Sequence, residues 1–145
     1  MKRLLIFTLC VLFSACSEKS EPEVVRVEKW YELDRPLAEY RKLQPDRPIL
    51  VFYTADWSVM GQAIQKRMSE PRFFDLFSDH RVLPMAADCT DPRGERFDDF
   101  NAIRPEDMMI FCFSLSRPNE DVKWFQVNGG SSDELYELIR SHLEK

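Results

Sequence analysis

With 25 acidic against 20 basic residues in 145, a net charge of −5, the chain lacks the cationic surplus that nucleic acid or an anionic bilayer surface requires. Eleven Phe, four Tyr and three Trp supply enough apolar surface for a packed core, which excludes a wholly disordered chain. The length suits one domain.

Met1-Lys2-Arg3 is basic and residues 4–13 (LLIFTLCVLF) form an apolar run, the order of a secretory signal. The run is too short for a membrane span, which takes about 20 apolar residues. Phe13-Ser14-Ala15-Cys16 then resembles a bacterial lipobox. That resemblance implies removal of residues 1–15, a lipid on Cys16 and, with Ser17 rather than an aspartate following, delivery to the outer membrane of a Gram-negative cell. An ordinary secretory signal or an uncleaved anchor is the alternative. Residues 16–23 carry no apolar period and are expected to be the lipidated cysteine and its tether. Residues 17–145 hold 18 basic and 25 acidic side chains, a net −7, so membrane contact is expected through the lipid alone.

Val24-Val25-Arg26-Val27 predicts a short first strand. Asp34-Arg35-Pro36 predicts a helix start with Asp34 as cap, followed by Leu37, Tyr40 and Leu43 on one face. Ile49–Tyr53 is a continuous apolar run, which suits a central strand buried on both sides. Residues 58–68 form a helix with a stripe of Met60, Ala63, Ile64 and Met68; Ser69-Glu70-Pro71 then restarts a helix with Ser69 capping it. Phe73, Phe74, Leu76 and Phe77 are its buried side. Val82–Cys89 predicts a strand, Phe97–Ile103 a helix, Met108–Leu115 a second buried strand and Val122–Val127 a strand closed by Asn128-Gly129-Gly130. Ser132–Leu143 is amphipathic and helical. Alternating strands and helices that finish on a hairpin and a helix predict one three-layer α/β/α domain with a mixed sheet over residues 24–145.

The segment Tyr53-Thr54-Ala55-Asp56-Trp57-Ser58-Val59-Met60-Gly61 resembles the strand-to-helix turn of thioredoxins. It is most similar to the C-terminal domain of periplasmic thiol–disulfide interchange reductases, where Ala-Asp-Trp precedes Cys-x-x-Cys. Ser69-Glu70-Pro71 matches the break in that family's long helix, and Asp88-Cys89-Thr90 and Asn101-Ala102-Ile103 match the ends of its next strand and helix. The resemblance implies a thioredoxin-like fold and, in an active member, a thiolate at a helix N-terminus that attacks a substrate disulfide. Here Ser58 and Gly61 replace the two cysteines, and Phe52 stands where the family has a buried Asp. The family's cis-proline position falls on Asp107, with Pro105 two residues earlier.

Ser58 has two readings, a helix cap or a nucleophile helped by the helix end; the second needs a base, and His80 and His142 lie in no recognisable motif. Neither histidine has cysteines or acids at ligand spacing, so no metal or other cofactor is expected. Cys10 leaves with the signal and Cys16 is acylated, which leaves Cys89 and Cys112. In the resembling sheet these flank the strand at 49–54, roughly 10 Å apart, beyond the reach of a disulfide. They are read as reduced apolar fillers, or else as a relocated redox pair. Trp57, Ser58, Val59 and Met60 either form a docking patch or pack beneath the loop at 104–107. The expectation is a redox-inactive envelope lipoprotein that binds a protein partner or fills a place in an assembly. A thiol–disulfide relay through Cys89 or Cys112 is the enzymatic alternative.

Overall fold

The computed structural model describes residues 26–145; residues 1–15, Cys16, the tether to residue 23 and Val24-Val25 lie outside the described residues. Ten elements follow in order: β1 (Tyr31–Glu32), α1 (Leu37–Leu43), β2 (Ile49–Thr54), α2 (Val59–Arg67), α3 (Pro71–Asp79), β3 (Leu83–Asp88), α4 (Glu95–Ile103), β4 (Cys112–Ser116), β5 (Lys123–Gln126) and α5 (Ser132–Leu143).

All six residues of β2 are buried, as a strand with neighbours on both edges and layers on both faces must be. The sheet order is β1-β3-β2-β4-β5, with β1, β3 and β2 parallel and β4 and β5 antiparallel to their neighbours. Alternation along β2 sends Leu50 and Phe52 to one face and Ile49, Val51 and Tyr53 to the other. The first face packs against Ile64 of α2 and Met68 at its C-terminal end, Phe73, Leu76 and Phe77 of α3, and Leu135 and Ile139 of α5. The second meets Leu37 and Tyr40 of α1 and Phe97 and Phe100 of α4. The fold is therefore a mixed five-stranded sheet between two helical layers, the thioredoxin-like architecture expected.

Several boundaries differ from the sequence expectation. Among the described residues the first strand is Tyr31–Glu32, and Arg26 and Val27, the described part of the strand expected at 24–27, lie outside any strand; Tyr31 pairs with Met85 and Leu33 extends the ladder by donating to the Ala86 carbonyl. Val27 is instead buried against α3, its amide donating to Ser78 Oγ at 2.8 Å. Asp34 does not cap α1; its carboxylate accepts from the Tyr40 hydroxyl and from Arg35, and Pro36 opens the helix. Leu43 is exposed, so only Leu37 and Tyr40 seat α1. Ser69 does not cap α3 either: its hydroxyl donates to the Gln65 carbonyl, and Glu70 precedes the helix with Pro71 in its first turn. β4 starts at Cys112 rather than Met108, after the loop 104–111.

Candidate functional site

The turn between β2 and α2 lies at the C-terminal edge of the parallel strands. Ser58 takes an extended backbone and its Oγ accepts from the Gly61 amide at 3.0 Å, so the hydroxyl satisfies one of the free donors of the first helical turn. Ser58 is only 7% exposed. Gly61 is buried, and a Cβ there would lie 2.9 Å from Thr54 Oγ1 and 3.1 Å from Ser58 Oγ. Thus the first of the two motif positions is a cap, and the second is closed to a side chain by Thr54.

Trp57, Val59 and Met60 point the other way, 56%, 84% and 37% exposed. Trp57 is nevertheless fixed. Its indole N–H donates to the Thr90 carbonyl at 3.0 Å, and the Asp56 amide donates to Thr90 Oγ1 at 2.9 Å. Thr90 is held in turn by Asp88, whose carboxylate accepts from its amide and hydroxyl. Gln62 reaches back to the Asp56 carbonyl.

Across from Trp57 runs the loop 104–111. Its organiser is Arg104, which ends α4 and donates to Asn101 Oδ1 and to the carbonyls of Pro105, Glu106 and Met108, at 2.7–3.4 Å. The guanidinium also lies 5.5 Å over the Phe100 ring. Phe111, at φ 83°, turns the chain into β4 and donates to the Tyr53 carbonyl at 2.7 Å. Asp107 is exposed on this loop and Pro105 half-buried; every described peptide bond is trans. Between Trp57 and the loop lies a groove of about 340 Å³, lined also by Phe97, Met108, Met109 and Ile110. Trp57 therefore forms a wall of this groove rather than packing beneath residues 104–107.

Phe52 is fully buried, its ring centroid 4.9 Å from Phe113 and 6.4 Å from Trp30. An aromatic cluster thus fills the core around Phe52. Cys89, directly after β3, and Cys112, the first residue of β4, are unpaired and buried; β3 and β4 flank β2. Burial pushes each thiol up to about 12, leaving the thiolate unpopulated near neutral pH. His80 closes α3, and His142 stacks on Phe125 with ring centroids 3.9 Å apart while its Nδ1 lies 2.9 Å from the Leu138 carbonyl. Both belong to elements other than the turn that carries Ser58.

Three residues escaped the sequence reading: Thr54, Thr90 and Arg104. Thr90 carries a recoverable signal, because Asp88-x-Thr90 is the spacing at which an aspartate bonds its own backbone two residues on. Thr54 and Arg104 act through contacts that no spacing reveals.

These features define an α/β protein of thioredoxin-like fold. No protein-family model matches the chain, and no curated protein does. Thioredoxins are among its structural neighbours. The short form of thioredoxin f from spinach chloroplast superposes at TM-score 0.55 with 17% identity, over 83% of this chain and 98% of that one. Thioredoxin from Trypanosoma brucei brucei gives 0.56 with 13% identity, over 83% and 96%. A chain of the ferredoxin:thioredoxin reductase–thioredoxin f2 complex gives 0.55 with 15% identity, over 81% and 98%. At such identities the likeness establishes the fold alone.

Proposed function

We propose that this protein is a redox-inactive, thioredoxin-like binding module of a Gram-negative cell envelope. It is held at the periplasmic face of the outer membrane by a lipid on Cys16 and docks a protein partner through Trp57, Val59 and Met60. In its Ala55-Asp56-Trp57 turn it is similar to the C-terminal domain of periplasmic thiol–disulfide interchange reductases, with their chemistry lost.

The observation that carries this reading is the division of labour in the turn. Ser58 is turned inward as a cap and Gly61 is wedged against Thr54, while the residues between and before them are exposed. Thiol exchange requires a thiolate at an accessible position. A serine hydroxyl cannot form a disulfide, and the two remaining thiols are buried and protonated. An exposed tryptophan beside aliphatic side chains on a rigid turn is, by contrast, a common anchor for a protein partner.

One experiment in cells tests both halves. A photo-crosslinker placed at Val59 of the full-length chain is expected to give a discrete adduct in the membrane fraction, lost on Trp57→Ala. Cys16→Ser is expected to release the protein from that fraction. The purified protein is expected to show no insulin reduction. Measurable reduction that disappears in Cys89→Ala or Cys112→Ala would overturn the reading in favour of a thiol relay.

A further inference from the structure

The end of the molecule that carries Trp57 is apolar in the middle and acidic at the rim. Trp57, Val59 and Met109 are each more than half exposed, and Met60 and Met108 stand beside them. Five carboxylates surround this patch. Asp56 immediately precedes Trp57, Asp88 and Asp91 flank the Thr90 that holds the indole, and Glu106 and Asp107 lead into Met108 and Met109. All five are exposed. Among the described residues none of the five enters an ion pair, although ten such contacts tie acids elsewhere on the surface.

The nearby cations do not offset them. Arg104 is turned onto the carbonyls of its own loop, and Arg96 is paired with Glu95 and Asp99. Across residues 54–62 and 88–109, Arg93 is the sole exposed basic side chain. Unpaired like charges around one apolar surface set a negative potential there, which attracts cationic segments and repels anionic ones within about 8–10 Å at moderate salt. The methionines supply an adaptable apolar contact that admits more than one sequence.

We propose that this patch takes a polypeptide segment whose apolar residues are flanked by lysine or arginine, and that it rejects the same segment flanked by acids. This rests on the docking function proposed above and adds the chemistry of the partner. Rim charges of this kind act on association rate and partner choice more than on affinity. The apolar centre is therefore expected to hold the segment, and the acids to select it.

Two synthetic peptides test the inference, one with a core of leucine and phenylalanine between lysines and one with the same core between glutamates. Each is titrated into the detergent-solubilised full-length protein, with the Trp57 indole N–H followed by NMR. The lysine-flanked peptide is expected to bind about ten-fold tighter at low salt, with the preference fading as salt rises. Asp56→Asn/Glu106→Gln/Asp107→Asn is expected to shrink the preference, since three of the five rim charges are gone and none of the three side chains supports the fold through a bond of its own. Trp57→Ala is expected to weaken both peptides. Equal binding of the two peptides, or a preference left unchanged by the triple variant, would overturn the proposal. If neither peptide binds while Val59 still crosslinks a partner in cells, the charge rule fails and the docking function stands. Absence of that crosslink removes the docking function itself.

Discussion

Gly61 shows how one neighbour can fix the identity of a residue. A glycine in a helix is about 1 kcal/mol less favourable than alanine, so its presence in the first turn of α2 needs a cause. The cause is Thr54, buried at the end of β2, whose Oγ1 would stand 2.9 Å from a Cβ at 61. Threonine is β-branched and stiff at χ1, so it does not yield easily. Gly61→Ala is therefore expected to lower stability by about 1 kcal/mol, against its helix propensity. In a Thr54→Ala background the same substitution is expected to raise stability. A double-mutant cycle in denaturant reads the coupling, expected at about 1–2 kcal/mol. The wedge is refuted if Gly61→Ala stabilises the wild type. The same geometry bears on restoring a Cys-x-x-Cys turn: Ser58→Cys with Gly61→Cys must displace Thr54 before a second sulfur fits, and Thr54→Ala is expected to raise the yield of the 58–61 disulfide.

The loop 104–111 makes the corresponding point for a whole element. Met108-Met109-Ile110-Phe111 reads as strand because it is apolar and continuous with Cys112–Leu115. Arg104 instead draws three carbonyls of residues 105–108 around one guanidinium, and Phe111 takes a positive φ, so pairing begins only at Cys112. The planar fork of arginine meets several acceptors at once, which the point charge of lysine does not reproduce. Arg104→Lys and Arg104→Ala are each expected to lose about 1–3 kcal/mol. Amide exchange is expected to speed up at Met108 and Phe111 and to stay unchanged in α5; unaltered exchange at those two amides would assign the loop to another cause. This is also where sequence reading runs out. Apolar runs and helical stripes announce β2, α3 and α5 because burial selects side chains directly. The start of β4, the site of β1 and the absence of the helix caps expected at Asp34 and Ser69 depend on which polar partner wins a hydrogen bond, and several are available to each. That the turn holds no cysteine is plain in the sequence, whereas the reason that position 61 carries no side chain is not.

At the scale of the molecule, the two faces of the sheet are chemically unequal. The α2/α3/α5 face is closed by Phe52, Phe73, Phe77, Phe113 and Phe125, none of which titrates. The α1/α4 face holds Tyr53, Cys89 and Cys112, all buried. Burial raises both thiols from about 9 to about 12, and it raises the Tyr53 hydroxyl as well, a shift that its contact with Ser114 only partly opposes. Below about pH 9 each thiol is protonated in folded and unfolded chains alike and contributes no pH dependence. Between about pH 9 and 12 the unfolded chain releases protons that the folded chain retains, so stability falls as pH rises, by at most about 1.4 kcal/mol per pH unit for each thiol. Urea midpoints are therefore expected to be nearly flat up to about pH 9 and to drop above it. Cys89→Ala/Cys112→Ala is expected to begin lower, because each truncation leaves a small cavity, and to fall less steeply above pH 9. An identical alkaline slope in the double variant, or rapid alkylation of either thiol in the folded protein at neutral pH, would mean that these cysteines are neither buried nor protonated in solution, and would reopen the relay function that their burial argues against.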